Sequence, residues 1–271
     1  MNPLEAMLAA TAWCARSALA PLASWPPAVS LSLLAVLSAA GMLWTVRRFS
    51  DQAAISAVKR RLRAHLYELR LFADEPALIW RAQWQLLRFN LRYLRLMLRP
   101  ALILAAPMIL LLVHLDAFYG HAPLPVGRPA VLTVQITGAG GSARLEAPAG
   151  VAVETPAVRA ASARQMSWRL RPLREVSGKL RLVFPHRAVE KQIEAGQKRR
   201  YVSDRRVSSL GDLLFNPGEP RLTEPGIAWI EVRYPPAGVR VGSLEFHWLL
   251  WFLAVSLAAA WVLKGRLGVA L

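Results

Sequence analysis

Residues 47–99 read RRFSDQAAISAVKRRLRAHLYELRLFADEPALIWRAQWQLLRFNLRYLRLMLR. This stretch carries twelve Lys and Arg residues against four Asp and Glu residues, and it lies between two strongly apolar segments. A short loop so rich in arginine stays on the cytoplasmic side of a membrane. The stretch therefore predicts a cytoplasmic loop with a membrane span on either side.

Three apolar blocks are predicted to cross the membrane, namely residues 28–46, 100–119 and 246–263. Each is close to the roughly 20 residues that a helix needs to cross the hydrocarbon. For the second and third blocks, buried core helices are the alternative. The composition excludes an ordinary soluble domain, because 55% of the side chains are hydrophobic, the net charge is +17 and the apolar residues are concentrated in blocks.

The basic loop also sets the orientation. With residues 47–99 inside, the N-terminus and residues 120–245 lie outside, and the tail 264–271 is cytoplasmic. Residues 1–24 are apolar but lack the charged start of a secretory signal peptide, so they predict an amphipathic segment at the outer membrane interface. The expected location is the inner membrane of a bacterium, with a multi-pass topology.

Residues 120–245 have the pattern of a β domain. Apolar residues alternate with polar ones over 166–170 and over 180–184, and period-two alternation predicts half-buried strands. Further strands are predicted at 130–136, 188–193 and 227–233, with turns at 138–142, 176–178 and 216–218. The expectation is an all-β sandwich of immunoglobulin-like size. No internal disulfide can stabilise this domain, since Cys14 is the only cysteine.

The basic stretch itself is patterned as two helices. Its first part has a heptad-like apolar seam from Ile55 to Phe72, which is typical of a coiled coil. Asp74-Glu75-Pro76 then predicts the start of a second helix, which runs to about Leu98. The result is a cytoplasmic antiparallel helical hairpin that ends at the second span.

Basic side chains on this hairpin are the candidate binding residues. On the second helix, five arginines are spaced seven, four, three and four residues apart and so share one face. One interpretation is a solvated or headgroup-facing surface that attracts anionic lipid. The other is a site for an anionic partner such as ribosomal RNA or an acidic nascent chain. The candidates are Lys59, Arg60, Arg61, Arg63, Arg81, Arg88, Arg92, Arg95 and Arg99.

The order of segments, together with four short motifs, suggests a family. The motifs are RP at 99–100, AAPMILL at 105–111, FYG at 118–120 and WLLWFL at 248–253. The chain resembles the Oxa1/YidC/Alb3 superfamily of membrane protein insertases, in particular its three-span members: the archaeal DUF106 proteins, the Get1 type and the third subunit of the ER membrane complex. The β domain between the last two spans is an addition to that pattern.

The resemblance implies a physical rather than a covalent mechanism. A protein with short spans thins the bilayer, which lowers the barrier for a polar segment to cross. A polar groove among the spans is expected, with Ser38, Thr45 and Ser256 as its candidate residues. His114 and Asp116 are expected at the outer interface, where a polar group costs little.

No enzyme is predicted, because the chain has no recognisable catalytic triad, HExxH motif or nucleotide-binding loop. No cofactor or metal is expected either. The expected partners are anionic lipid, a ribosome or nascent membrane protein, and other membrane subunits, but not DNA. The alternative function is an envelope scaffold or sensor, in which the sandwich binds a protein or polymer ligand and the hairpin recruits a cytoplasmic partner.

Overall fold

The computed structural model describes residues 2–49, 76–137, 143–185 and 187–266. Two compact units are present, Met1–Ser30 with Leu110–Trp251 and Leu31–Ile109 with Phe252–Leu271. The first predicted hairpin helix, with its seam and the four basic residues from Lys59 to Arg63, lies outside the described residues. The predicted turn at 138–142 lies outside them too.

Four of the five described helices are long. The helices are α1 (Pro3–Leu19), α2 (Pro27–Phe49), α3 (Pro76–Leu115), α4 (Leu210–Phe215) and α5 (Trp248–Arg266). A 3-10 turn at Ala20–Ser24 follows α1, and a π-helical turn at Asp116–Gly120 follows α3. The short helix α4 lies within the β domain and had no signal in the period-two pattern.

Among the described residues, four segments are long and apolar enough to cross a membrane, which agrees with a membrane protein. They are Pro3–Ser24, Pro27–Phe49, Ala101–Gly120 and Trp248–Arg266. The last three overlap the predicted spans, while the first is the segment expected at the interface. Helix α2 buries one side, with Leu31, Ala35, Ala39 and Leu43 at four-residue intervals. Leu37 and Trp44 are well exposed, as expected of a helix with one side toward lipid.

Helix α3 differs from the expectation of a boundary at Arg99-Pro100. It begins at Pro76, as predicted, but continues through Pro100 and Pro107 for 40 residues, about 60 Å at the helical rise. In water, a proline in a helix interior usually ends or kinks the helix, because it removes a hydrogen bond. In an apolar segment, breaking the helix would leave more backbone groups unpaired, so a continuous helix is the cheaper state.

The β domain contains antiparallel sheets. Its strands are β1 (Ala130–Ile136), β2 (Arg144–Glu146), β3 (Val151–Val153), β4 (Val158–Ala160), β5 (Gln165–Pro172), β6 (Val176–Phe184), β7 (Arg187–Ala195), β8 (Arg205–Val207), β9 (Ile227–Val232), β10 (Gly238–Val241) and β11 (Leu244–His247). One sheet has the order β3-β5-β1-β9-β8 with β4 paired to β5, a second has the order β2-β6-β7, and β10 pairs with β11.

The two larger sheets share one core. Leu132, Trp168 and Leu170 come from one sheet, and Leu180 and Leu182 come from the other, all in a single buried cluster. The predicted alternation is confirmed, since the apolar residues of β5 and β6 are buried. The predicted turn at 176–178 is wrong, because those residues begin β6. Phe246 belongs to β11 and not to the last membrane helix.

An ion pair is buried in this core. Lys191 occupies a core-facing position of β7 between Val189 and Ile193, and its side chain is fully inaccessible. Its Nζ donates to the Glu219 carboxylate and, at 2.5 Å, to the Ser203 carbonyl. Burial lowers the pKa of Lys191, and the carboxylate of Glu219 opposes that shift. The pair fixes the loop after α4 to β7.

Helix α1 packs against the β domain. It starts at a capping box. The Asn2 side chain accepts from a backbone N–H of the first turn, and the Glu5 carboxylate accepts from the backbone N–H of Asn2. Glu5 pairs with Arg221, with Arg221 Nε 2.6 Å from Glu5 Oε1. Leu8 lies in a buried cluster with Val207 and Leu213. The same cluster contacts Leu110 of α3.

Candidate functional site

The described N-terminal half of α3 carries two neighbouring stripes. Arg88, Arg92 and Arg95 are exposed and lie on one face, as their spacing predicted. An apolar stripe runs beside them at three- and four-residue intervals, and its side chains are between 48% and 59% exposed. Its members are Trp84, Leu87, Leu91, Leu94 and Leu98. An uncovered amphipathic surface of this kind is typical of a membrane surface or a partner-binding helix.

The other predicted basic residues are only partly placed. Arg81 and Arg99 belong to α3, but their side chains lie outside the described set. Lys59, Arg60, Arg61 and Arg63 precede the described part of the hairpin. The structure therefore brings together three of the nine candidates.

The groove candidates offer few free hydroxyl groups, because two of the three are hydrogen-bonded within their own helices. Thr45 Oγ1 donates to the Gly41 carbonyl at 2.8 Å, and Ser256 Oγ donates to the Leu253 carbonyl at 3.0 Å. Such bonds satisfy a hydroxyl within its own helix. Ser38 is half-buried, seven residues before Thr45 on the same side of α2. None of these observations assembles the three residues into one site.

A polar junction joins α1, the C-terminal end of α3 and the β domain. His114 is only 5% exposed there, and its Nδ1 lies 2.8 Å from Tyr201 Oη. Its place at the outer interface stays a prediction. The guanidinium of Arg16 lies over the Tyr201 ring, 5.0 Å from its centroid. Burial raises the pKa of Tyr201 to about 12. The phenol therefore stays neutral at physiological pH, and the tautomer of His114 decides whether Tyr201 donates or accepts in this hydrogen bond.

The π-helical turn joins the end of α3 to the start of α5. Trp248 Nε1 donates to Asp116 Oδ1 at 3.0 Å, and His121 Nδ1 lies 3.7 Å from Asp116 Oδ2. A Cβ at Gly120 would collide with the Asp116 carboxylate and come within 3.0 Å of Trp248 Nε1, so a larger residue there would displace Asp116 from Trp248. Asp116 therefore has a structural partner, and its place at the outer interface stays a prediction.

Sequence reasoning missed this junction. Tyr201 lies in the connection between β7 and β8, where no periodic pattern assigns it a role. Arg16 is one of two charged residues in the apolar segment 1–24, and no pattern assigns it a partner either. A buried polar residue near the end of a predicted span, such as His114, was the one available signal, because it requires a partner.

Tyr201→Phe is expected to destabilise this junction by about 1–3 kcal/mol, because it leaves buried His114 Nδ1 without a hydrogen bond. His114→Leu should cost a similar amount. Because both changes remove one shared bond, the double variant should cost less than their sum. Pulse proteolysis of the full-length protein in detergent over a urea series measures these free energies. Strictly additive effects would contradict a shared hydrogen bond.

Within the part of the chain that the structure describes, no three His, Cys, Asp or Glu side chains are placed to hold a metal ion. No family model matches the chain, and neither the curated proteins nor the solved structures contain a match.

Proposed function

We propose that this membrane protein assists the insertion or assembly of other membrane proteins, as an insertase-like protein of the bacterial inner membrane with a basic cytoplasmic hairpin. The proposed topology has three spans, with the N-terminus outside and the C-terminus in the cytoplasm. Its expected substrates are nascent membrane proteins with polar segments that must cross.

The apolar length of α3 carries the proposal. Leu110 already packs against α1 and the β domain, through Leu8 and Leu213. Only residues 100–109 separate this contact from Arg99, which is about 15 Å of helix, against roughly 30 Å of hydrocarbon in an ordinary bilayer. A bilayer adjusts to so short a segment by thinning locally. Thinning lowers the cost of moving a polar segment across.

A further feature supports the proposal. The exposed arginines and leucines of α3 offer an amphipathic surface suited to a nascent chain or to ribosomal RNA.

Depletion of the protein tests this function directly. We expect slower insertion of small membrane proteins with charged translocated segments, measured by protease protection of newly synthesised chains. Re-expression of the parent chain should restore insertion. Unchanged insertion after depletion would contradict the proposal.

One observation favours the alternative, an envelope scaffold or sensor. Strand β4 is an edge strand paired only to β5 in the described sheet, and all three of its residues are exposed. An open edge can accept a strand from another protein. A photo-crosslinker at Val158 that captured one envelope protein, together with unchanged insertion, would support this alternative.

A further inference from the structure

We propose that the cleft between α1 and residues 213–223 holds an acyl chain of a membrane phospholipid. The cleft has a volume of about 410 Å³. That lies within the roughly 300–1,000 Å³ typical of ligand pockets. The proposal goes beyond an insertion function and does not depend on it.

The orientation of α1 is the first argument. Both of its charges face the β domain: Glu5 pairs with Arg221, and Arg16 donates to the Gly218 carbonyl and to Gln192 Oε1. The opposite face is uncharged and exposed, with Met7, Ala10, Cys14 and Ala18. A helix facing water has the reverse arrangement, with its charges outward. The outer face of α1 therefore suits hydrocarbon.

The connections of α1 are the second argument. Only Trp25 and Pro26 separate its 3-10 turn from α2, which is apolar enough to cross a membrane. Leu8 of α1 shares a cluster with Leu110, which belongs to the apolar segment Ala101–Gly120. Both neighbours place α1 at the bilayer rather than in open solvent. Because α1 is in contact with the β domain along its length, we do not expect this helix to cross the membrane.

The lining of the cleft is the third argument. Its walls are mainly apolar, and Ala9 and Ala12 leave the recess where larger side chains would fill it. The charged groups in its lining are paired: Glu5 with Arg221, Glu219 with Lys191, and Arg16 with the Gly218 carbonyl and Gln192 Oε1. An apolar recess whose charges are already satisfied suits an acyl chain rather than a charged ligand.

The loop that forms the second wall is held in place. Gly218 approaches Ser203 so closely that a Cβ would lie 2.6 Å from Ser203 Cβ. Glu219 is anchored to Lys191 and accepts from the Gln192 backbone N–H at 3.0 Å. These contacts prevent the loop from collapsing onto α1. The cleft is therefore preformed.

The test uses full-length protein in phosphatidylglycerol vesicles that contain a phosphatidylglycerol with a diazirine near its acyl terminus. After irradiation, we expect crosslinks on residues 213–221 as well as on α1. Ala9→Trp fills the cleft and should reduce labelling of 213–221 about tenfold, the effect of losing about two buried methylene contacts. Ala10→Trp, on the exposed outer face, is the matched control and should leave that labelling unchanged.

Labelling confined to the outer face of α1 in the parent protein would overturn the proposal, and this result does not depend on any variant folding. Equal labelling of 213–221 in Ala9→Trp and Ala10→Trp would overturn it too. Labelling by a soluble diazirine fatty acid but not by the phospholipid would assign the cleft to a different ligand and contradict it. The unique thiol of Cys14 reports independently on α1: a fluorophore there should be quenched by brominated lipid in both variants.

Discussion

Lys191→Met is expected to lower the free energy of unfolding of the β domain by about 3–5 kcal/mol, the usual cost of leaving one partner of a buried ion pair alone. The side chain of Glu219 is only 4% exposed, so water cannot replace the lost ammonium. Glu219→Gln should destabilise the domain for the same reason. Pulse proteolysis of full-length protein over a urea series measures both changes.

A second ion pair on β7 offers a matched control. Lys179 and Glu190 form an ion pair at 2.7 Å between β6 and β7, but both side chains are more than half exposed. Lys179→Met should therefore change stability little, because exposed pairs are screened by water. The double variant Lys191→Met with Glu219→Leu should recover most of the loss, since it removes both buried charges. Equal stability of Lys191→Met and Lys179→Met would contradict a buried pair.

Replacing Arg88, Arg92 and Arg95 together by Gln is expected to weaken binding to ribosomes about 100-fold at low salt. The estimate takes about 1 kcal/mol for each arginine that neutralises an anionic surface. The slope of log binding constant against log salt concentration should also become less negative by about three. Co-sedimentation of ribosomes with sealed inside-out vesicles, which expose only the proposed cytoplasmic face of the full-length protein, measures both quantities.

A charge-matched control separates this effect from net charge. Arg128, Arg159 and Arg169 are exposed on the β domain, and their joint replacement by Gln removes the same charge. Because the proposed topology places the domain on the other side of the membrane, this control should bind ribosomes like the parent. Unchanged binding of the Arg88, Arg92 and Arg95 variant would mean that the arginine line is a solvated or lipid-facing surface only.

Periodic features were predictable because they repeat. The alternation over 166–170 and 180–184 predicted buried strand faces, and the spacing of the arginines predicted their shared face on α3. Pro76 marked the helix start, because proline is favoured in the first turn. Pro100 was misleading, since its effect depends on whether the surroundings can pair the freed backbone groups.

Some residues of the candidate sites could be predicted from spacing, and others could not. Arg88, Arg92 and Arg95 follow from spacing alone. The junction of His114, Tyr201 and Arg16 does not, because its members come from three distant parts of the chain. Lys191 shows the limit most clearly: its place in the alternation of β7 marks it as core-facing, but its partner Glu219 comes from a loop 28 residues away.

The sequence by itself determined the membrane character, the charge asymmetry and the alternating strands, because hydrophobic and charge patterns are local and repeat at the period of the backbone. Only the tertiary structure decided which face of α1 turns toward the β domain, where the buried charges find partners, and that α3 is one helix. Those outcomes depend on which distant groups meet. A buried charge is stable only if a neighbouring group pairs with it, and a helix face is buried only if a neighbouring element covers it.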